Sequence, residues 1–187
     1  MKPFANFSIE QLPPSANPVL DKVRSAFGFL PNLAAVMAVA PGALNGLLEN
    51  LHTFSQTSLS PAEQQLVLLT SSVAHVVPYS VAVDTVMGRN AGLPEGVIEA
   101  IRQNKPISDK RLEALRQFVL SSSGHNGVVS NEVLNNFETE GWTKAQMIEV
   151  MFGLAAKDFV YRVQRLADAP LDGPLESGRW EMPAAES

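Results

Sequence analysis

Residues 59–93, LSPAEQQLVLLTSSVAHVVPYSVAVDTVMGRNAGL, decide the fold. Ser60 stands where a helix N-cap belongs. Pro61 suits the first helical position, where its missing N–H would have no partner anyway, and Glu63 completes a capping box. Leu66, Leu69, Val73 and Ala74 then recur at helical spacing. Pro78 interrupts that helix or begins the next, which carries Val81, Ala82, Val86 and Met87 and stops at Ala91-Gly92 ahead of Leu93-Pro94. The stretch reads as a helical hairpin.

The same punctuation recurs on both sides. Upstream, a short helix is expected from about Pro18 to Phe27, closed by Gly28. Asn32 is expected to cap a helix over 33–39, and Pro41 to start one reaching about Gln56. Downstream, helices are expected from Pro94 to Arg102, from Ser108 to near Gly124, and from a Ser130 cap to Glu140. A second capping box at Thr143–Gln146 launches the longest helix, through about Ala167. No alternating apolar/polar run reads as a convincing strand, and no 20–50-residue repeat is evident. The expected architecture is an all-α domain of about eight helices over 17–169. An irregular arm precedes it over 1–16 and an extended tail follows over 170–187.

Composition removes several function classes. The 187 residues include no cysteine, which excludes disulfides, thiolate metal sites and catalysis by a protein thiol. Fourteen Lys/Arg against nineteen Asp/Glu give a net charge of −5, so a nucleic-acid partner is not expected. The nearest basic cluster, Lys105, Lys110, Arg111 and Arg116, is interleaved with Asp109 and Glu113 and reads as a solvated helix face. The apolar stretch Met147–Val163 carries Glu149, Lys157, Asp158 and Arg162, so it reads as a core helix and not a bilayer span. The N-terminus lacks a signal-peptide pattern, which makes cytoplasm the expected compartment. Charged residues are 18% of the chain, below the ~25% usual for soluble domains, which fits a surface partly covered by other subunits.

The segments LSPAEQQLVLL, PYSVAVDTVMGRNAGL, ISDKRLEALRQFV and the block from Val128 to Asp172, taken in order, resemble the carboxymuconolactone decarboxylase-like and alkylhydroperoxidase D-like superfamily, in its peroxidase-related branch. The resemblance implies an all-helical fold and assembly as trimers or hexamers. Redox-active members place a Glu on the first hairpin helix and a C-x-x-C-x-x-x-H motif around the start of the second. A helix N-terminus activates one thiol there, the second resolves the disulfide, and Glu and His relay protons. On this sequence the two cysteines fall on Val77 and Ser80, the His on Asp84 and the Glu on Gln65, while Tyr79 fits the aromatic position between the cysteines. All four redox positions depart together, so thiol peroxidase chemistry is excluded.

His75, Tyr79, Ser80 and Asp84 form the candidate catalytic cluster, with Gln65 and Val77 expected to line the pocket. Ser80 and Asp84 are neighbours at i and i+4, and His75 could approach either across the Pro78 break. A Ser–His–Asp set competes with the plainer reading of local hydrogen bonds at a helix start, and no nucleophile elbow accompanies it. The expected function is a non-redox or catalytically silent relative whose pocket takes a small polar or acidic molecule. The alternative is a lactone-decarboxylase-type lyase using His75, Tyr79 and Asp84. No metal site or cofactor is expected. His52 and His125 read as ordinary helix and turn residues, and Met37, Met87, Met147 and Met151 as packing. Trp142 reads as a staple where its helix begins. Trp180, with Leu171 and Leu175, is expected to dock the tail on a partner subunit or on its own domain.

Overall fold

The computed structural model describes residues 3–4, 7–124 and 127–183; the turn containing His125 lies partly outside them. Nine α-helices occur among the described residues, where about eight were expected. They are α1 (Asn17–Phe27), α2 (Asn32–Met37), α3 (Pro41–Ser55), α4 (Pro61–Ala74), α5 (Pro78–Asn90), α6 (Glu95–Arg102), α7 (Lys110–Ser123), α8 (Asn131–Thr139) and α9 (Lys144–Ala167). Short 3₁₀ turns cover Ile9–Gln11, Pro14–Ala16 and Gly173–Gly178. The described residues contain no strand, and no helix among them is long and apolar enough to cross a membrane.

The capping boxes form as the sequence spells them. Glu63 N–H donates to Ser60 Oγ while Ser60 N–H donates to Glu63 Oε2, and Thr143 and Gln146 reciprocate in the same way. Two starts differ from expectation. Asp109, not Ser108, caps α7, its Oδ1 accepting from Leu112 N–H at 2.9 Å, because a carboxylate complements the helix N-terminal charge better than a hydroxyl. Asn32 lies inside α2 and caps nothing. Its N–H donates instead to Asp172 Oδ1 at 3.0 Å, so the C-terminal segment supplies the cap from far along the chain.

α4 is buried nearly all round, with Leu66, Val67, Leu69, Ser71 and Ser72 essentially inaccessible, and it packs against α5, α6, α7 and α9. One apolar cluster joins it to α6, α7, α8 and the first half of α9 through Leu115, Phe118, Phe137, Trp142 and Val150. A second lies between α1, α2, α3 and the end of α9, built from Val19, Leu20, Val23, Leu33, Met37, Leu44 and Ala167. Trp142 is a core residue: its indole stacks 5.5 Å from Phe137, donates to Arg111 O at 2.9 Å, and lies 3.7 Å beneath the Arg111 guanidinium. Arg116, expected on a solvated face, is buried, its guanidinium shared between Glu113 and Asn104. Both terminal nitrogens are paired, while Nε is buried without a partner among the described residues.

Residues 170–180 fold back on the domain, where an extended tail was expected. Arg89 donates to Ser177 O at 2.8 Å, and Arg102 donates to Gly178 O at 3.0 Å and Arg179 O at 2.9 Å. Trp180 in turn donates to Arg102 O at 2.9 Å and is buried against the same domain. A Cβ at Gly178 would lie 2.2 Å from the Ala82 carbonyl oxygen of α5, so only glycine allows this approach. Gly178→Ala is therefore expected to lower stability by about 1–3 kcal/mol in denaturant unfolding. An unchanged midpoint would mean that the segment contributes nothing to the fold.

Glu63 ties α4 to α7 through Arg111, 2.5 Å away. Partial burial pulls its carboxyl upward, but the Arg111 guanidinium and the Ser60 hydrogen bonds outweigh this and hold it below its ordinary value of 4.5. Because the folded-state value is the depressed one, the contribution is complete above the ordinary value and is lost as pH falls through the folded value. Glu63→Gln should cost about 1 kcal/mol at neutral pH. The difference from the parent protein should shrink as unfolding is repeated in progressively stronger acid.

Candidate functional site

The α4–α5 hairpin turns at Val76, whose φ of 51° is unusual for a β-branched side chain, and His75 caps the end of α4. The turn lets α5 pack back along α4, so that Tyr79, Ser80 and Asp84 face inward. Six helices, α1 to α5 and α9, line an open cavity of about 270 Å³. Most of its wall is hydrocarbon, including Leu33, Met37, Leu47, Leu48, Leu51, Leu68, Met87 and Val160. Its polar members are Ser55, Gln64, Gln65, Tyr79, Ser80, Asp84 and Lys157.

Four of the six sequence-predicted residues, Gln65, Tyr79, Ser80 and Asp84, therefore converge on one cavity. Val77 is buried but lines a separate cleft with Gln164, Arg165 and Arg179. His75 is not in the cavity wall. Its Nδ1 lies 2.9 Å from Ser71 O, and its ring sits 4.8 Å from that of Tyr161. Ser80 Oγ is buried and has no hydrogen-bond partner among the described residues, so no Ser80–His75–Asp84 triad forms. The reason is geometric: His75 follows the last turn of α4 and is held against that helix, whereas Ser80 and Asp84 lie on the far side of the Val76 turn.

Asp84 has partners that sequence reasoning missed. Its Oδ2 accepts from Lys157 Nζ of α9 at 2.7 Å and from the Ser72 hydroxyl of α4, and both ionic side chains are about 5% exposed. Ser72 has one proton and gives it to Asp84, so at 3.1 Å the Tyr161 hydroxyl donates to Ser72 Oγ. Burial first, and then the Asp84 charge, pushes the Tyr161 phenol well above its ordinary range and keeps that donor protonated. The Lys157 ammonium also lies 5.4 Å from the centre of the Tyr161 ring. Lys157 had a signal in the sequence: it follows Val150 and Gly153 at helical spacing and precedes Tyr161 by four, on the buried stripe of α9.

Tyr79 is fixed by a second missed partner. Its hydroxyl donates to Asp172 Oδ2 at 2.7 Å and accepts from Leu33 N–H at 3.4 Å. Burial, reinforced by the Asp172 carboxylate, raises the phenol far above its usual range, so Tyr79 remains a proton donor and cannot act as a base. Gln64 is spent on structure, its Nε2 donating to Leu59 O at 2.9 Å. Gln65 Oε1, like Ser80 Oγ, is buried without a partner among the described residues. No three His, Asp or Glu side chains among them gather as a metal ion would require.

The ion pair is expected to be costly to break from one side. Lys157→Met leaves a buried carboxylate with one hydroxyl for company and should cost about 3–5 kcal/mol. Asp84→Asn should be severe for the converse reason, and the double variant should recover most of the loss. Additive losses in this cycle, measured by chemical denaturation, would show that the two charges do not interact.

No known family profile matches the chain, and no curated protein sequence matches it. Solved structures do. The uncharacterized peroxidase-related alkylhydroperoxidase D core protein of Ralstonia eutropha JMP134 superposes with a TM-score of 0.78 at 15% identity, over 92% of this chain and 93% of that one. A peroxidase-related protein of Silicibacter sp. TM1040 gives 0.77 at 13%, over 94% and 95%. The debrominase Bmp8 in complex with 2,3,4-tribromopyrrole gives 0.75 at 16%, over 88% and 89%. The all-α fold of this cysteine-free chain is the alkylhydroperoxidase D-like fold.

Proposed function

We propose that the protein is a non-redox relative of these proteins that binds a compact, largely apolar small molecule in the cavity between α1–α5 and α9. The observation that carries this reading is the wall of that cavity. It is mostly aliphatic, yet it includes two residues, Gln65 and Ser80, with buried oxygens that lack any partner among the described residues. A buried polar group left unpaired costs about 1–3 kcal/mol, which a bound molecule would offset. Gln65 Oε1 only accepts, so the molecule presents a donor there, while Ser80 Oγ can do either. The volume of about 270 Å³ suits a single substituted ring or a short branched chain carrying one N–H or O–H.

This narrows the expected polar or acidic ligand to one whose polarity is confined to a single end. Tribromopyrrole, held by the structurally similar Bmp8, is a compact apolar ring with one N–H. Binding is favoured over turnover by the state of the ionisable groups. Asp84 is committed to Lys157 and Ser72, Tyr79 is kept protonated, and His75 stands outside the wall. The lyase alternative needs those three around one substrate.

Thermal unfolding in the presence of halogenated pyrroles, phenols and single-ring N–H heterocycles tests the proposal. At least one compound should raise the melting temperature saturably, and calorimetry should give one site per chain. Val83→Trp, which fills the cavity, should abolish the effect with unchanged far-UV circular dichroism. Gln65→Leu should weaken donor-bearing ligands by about tenfold and spare their N–H- or O–H-free analogues. No saturable stabilisation across the set would overturn the reading.

A further inference from the structure

We propose that Lys157 is a second recognition point in the cavity, and that the ligand is a neutral carbonyl compound whose C=O stands beside its N–H or O–H. This rests on the small-molecule reading above and adds an acceptor to the donor required there. A lysine ammonium has three hydrogens to donate and accepts none. Lys157 gives one to Asp84 Oδ2 at 2.7 Å, and no other described residue takes a hydrogen bond from it. The Tyr161 ring, centred 5.4 Å away, is too distant to accept one. Two N–H groups thus stay unspent on a side chain that is only 5% exposed and forms part of the cavity wall. The ion pair is filled on its carboxylate side, where Ser72 adds a second bond, and unfilled on its ammonium side.

Charge decides which acceptor fits. Asp84 and Lys157 are the two charged residues of the wall, and they neutralise each other. A carboxylate beside them would be a third buried charge with no cation left to balance it. A neutral carbonyl takes the ammonium hydrogens without that cost. The acidic ligands expected from the sequence are thereby disfavoured. Ser80 and Asp84 lie one turn apart on the same face of α5, which sets their Cβ atoms ~5–6 Å apart. The ammonium held by Asp84 and the unpartnered Ser80 hydroxyl therefore stand within the span of one small molecule. A carbonyl oxygen at the ammonium leaves the Ser80 and Gln65 oxygens for the donor beside it.

Three compounds of matched shape test this on the unmodified protein by titration calorimetry. 2-Acetylpyrrole, 2-isopropylpyrrole and pyrrole-2-carboxylate share the ring and its N–H and differ only in acceptor and charge. The acetyl compound should bind about tenfold tighter than the isopropyl compound, although the latter is the more apolar. The carboxylate should bind more weakly than the acetyl compound by a similar factor. In the Asp84→Asn/Lys157→Met double variant, which removes both charges together, the acetyl and isopropyl compounds should bind equally. The carbonyl stretch of bound 2-acetylpyrrole should lie at lower wavenumber in the parent protein than in that variant. Equal affinity of the two neutral compounds for the parent, tightest binding by the carboxylate, or a preference that survives in the double variant would each overturn the proposal and leave the cavity reading standing. Absence of saturable binding across the wider screen described above removes that reading, and this inference with it.

Discussion

The Asp84–Lys157 pair sets conditions that the rest of the molecule has to meet. Two opposite charges taken out of water are tolerable only if each finds the other and the remaining hydrogen-bonding capacity is filled. Asp84 belongs to α5 and Lys157 to α9, so the pair fixes how the hairpin sits on the longest helix. Ser72 from α4 fills a lone pair on the carboxylate, and Tyr161, one turn beyond Lys157, fills Ser72. Three helices are thereby registered by four side chains at one depth. An aliphatic core in the same place would pack comparably well but would allow small slides along α9 that the ion pair forbids.

That network also changes the meaning of the positions where redox-active members of the superfamily carry their proton relay. Asp84 stands where the resemblance places a histidine, and it accepts from Lys157 and Ser72. Ser80 and Gln65 stand where a thiol and a carboxylate are expected, and both face a hydrocarbon chamber with unspent hydrogen-bonding capacity. No thiol or carboxylate stands at those two positions, and a cavity remains between the helices. On the function proposed above, such a site would select by size and by one donor contact.

Much of the fold was legible because helix ends are written locally. Ser60, Ser130 and Thr143 cap the helices they were expected to cap, since the donors they satisfy lie within three residues. What failed were features whose partners are remote. Asn32 looked like a cap until Asp172, folded back from the other end of the chain, took the role. The C-terminal segment looked extended because its order comes from Arg89 and Arg102, not from any periodicity of its own. At the site, the α5 residues were found because they cluster in sequence. Lys157 and Tyr161 were missed because their pairing crosses more than seventy positions. His75, close in sequence to Asp84, proved the converse: adjacency across a turn did not bring it into the wall.

The cavity wall runs from Val23 in α1 to Val160 in α9, so residues far apart in the chain line one cavity. Such non-local closure is slow compared with forming the α4–α5 hairpin, whose partners are neighbours. During synthesis the hairpin and the helices before it can assemble while α9 is still absent, and the chamber then stands open along the side that α9 will cover. The docking of α9 thus buries the Lys157 charge and completes the cavity wall in a single event. A molecule small enough to fill the chamber would act on that last step, slowing the escape of α9 far more than it speeds the folding of anything before it.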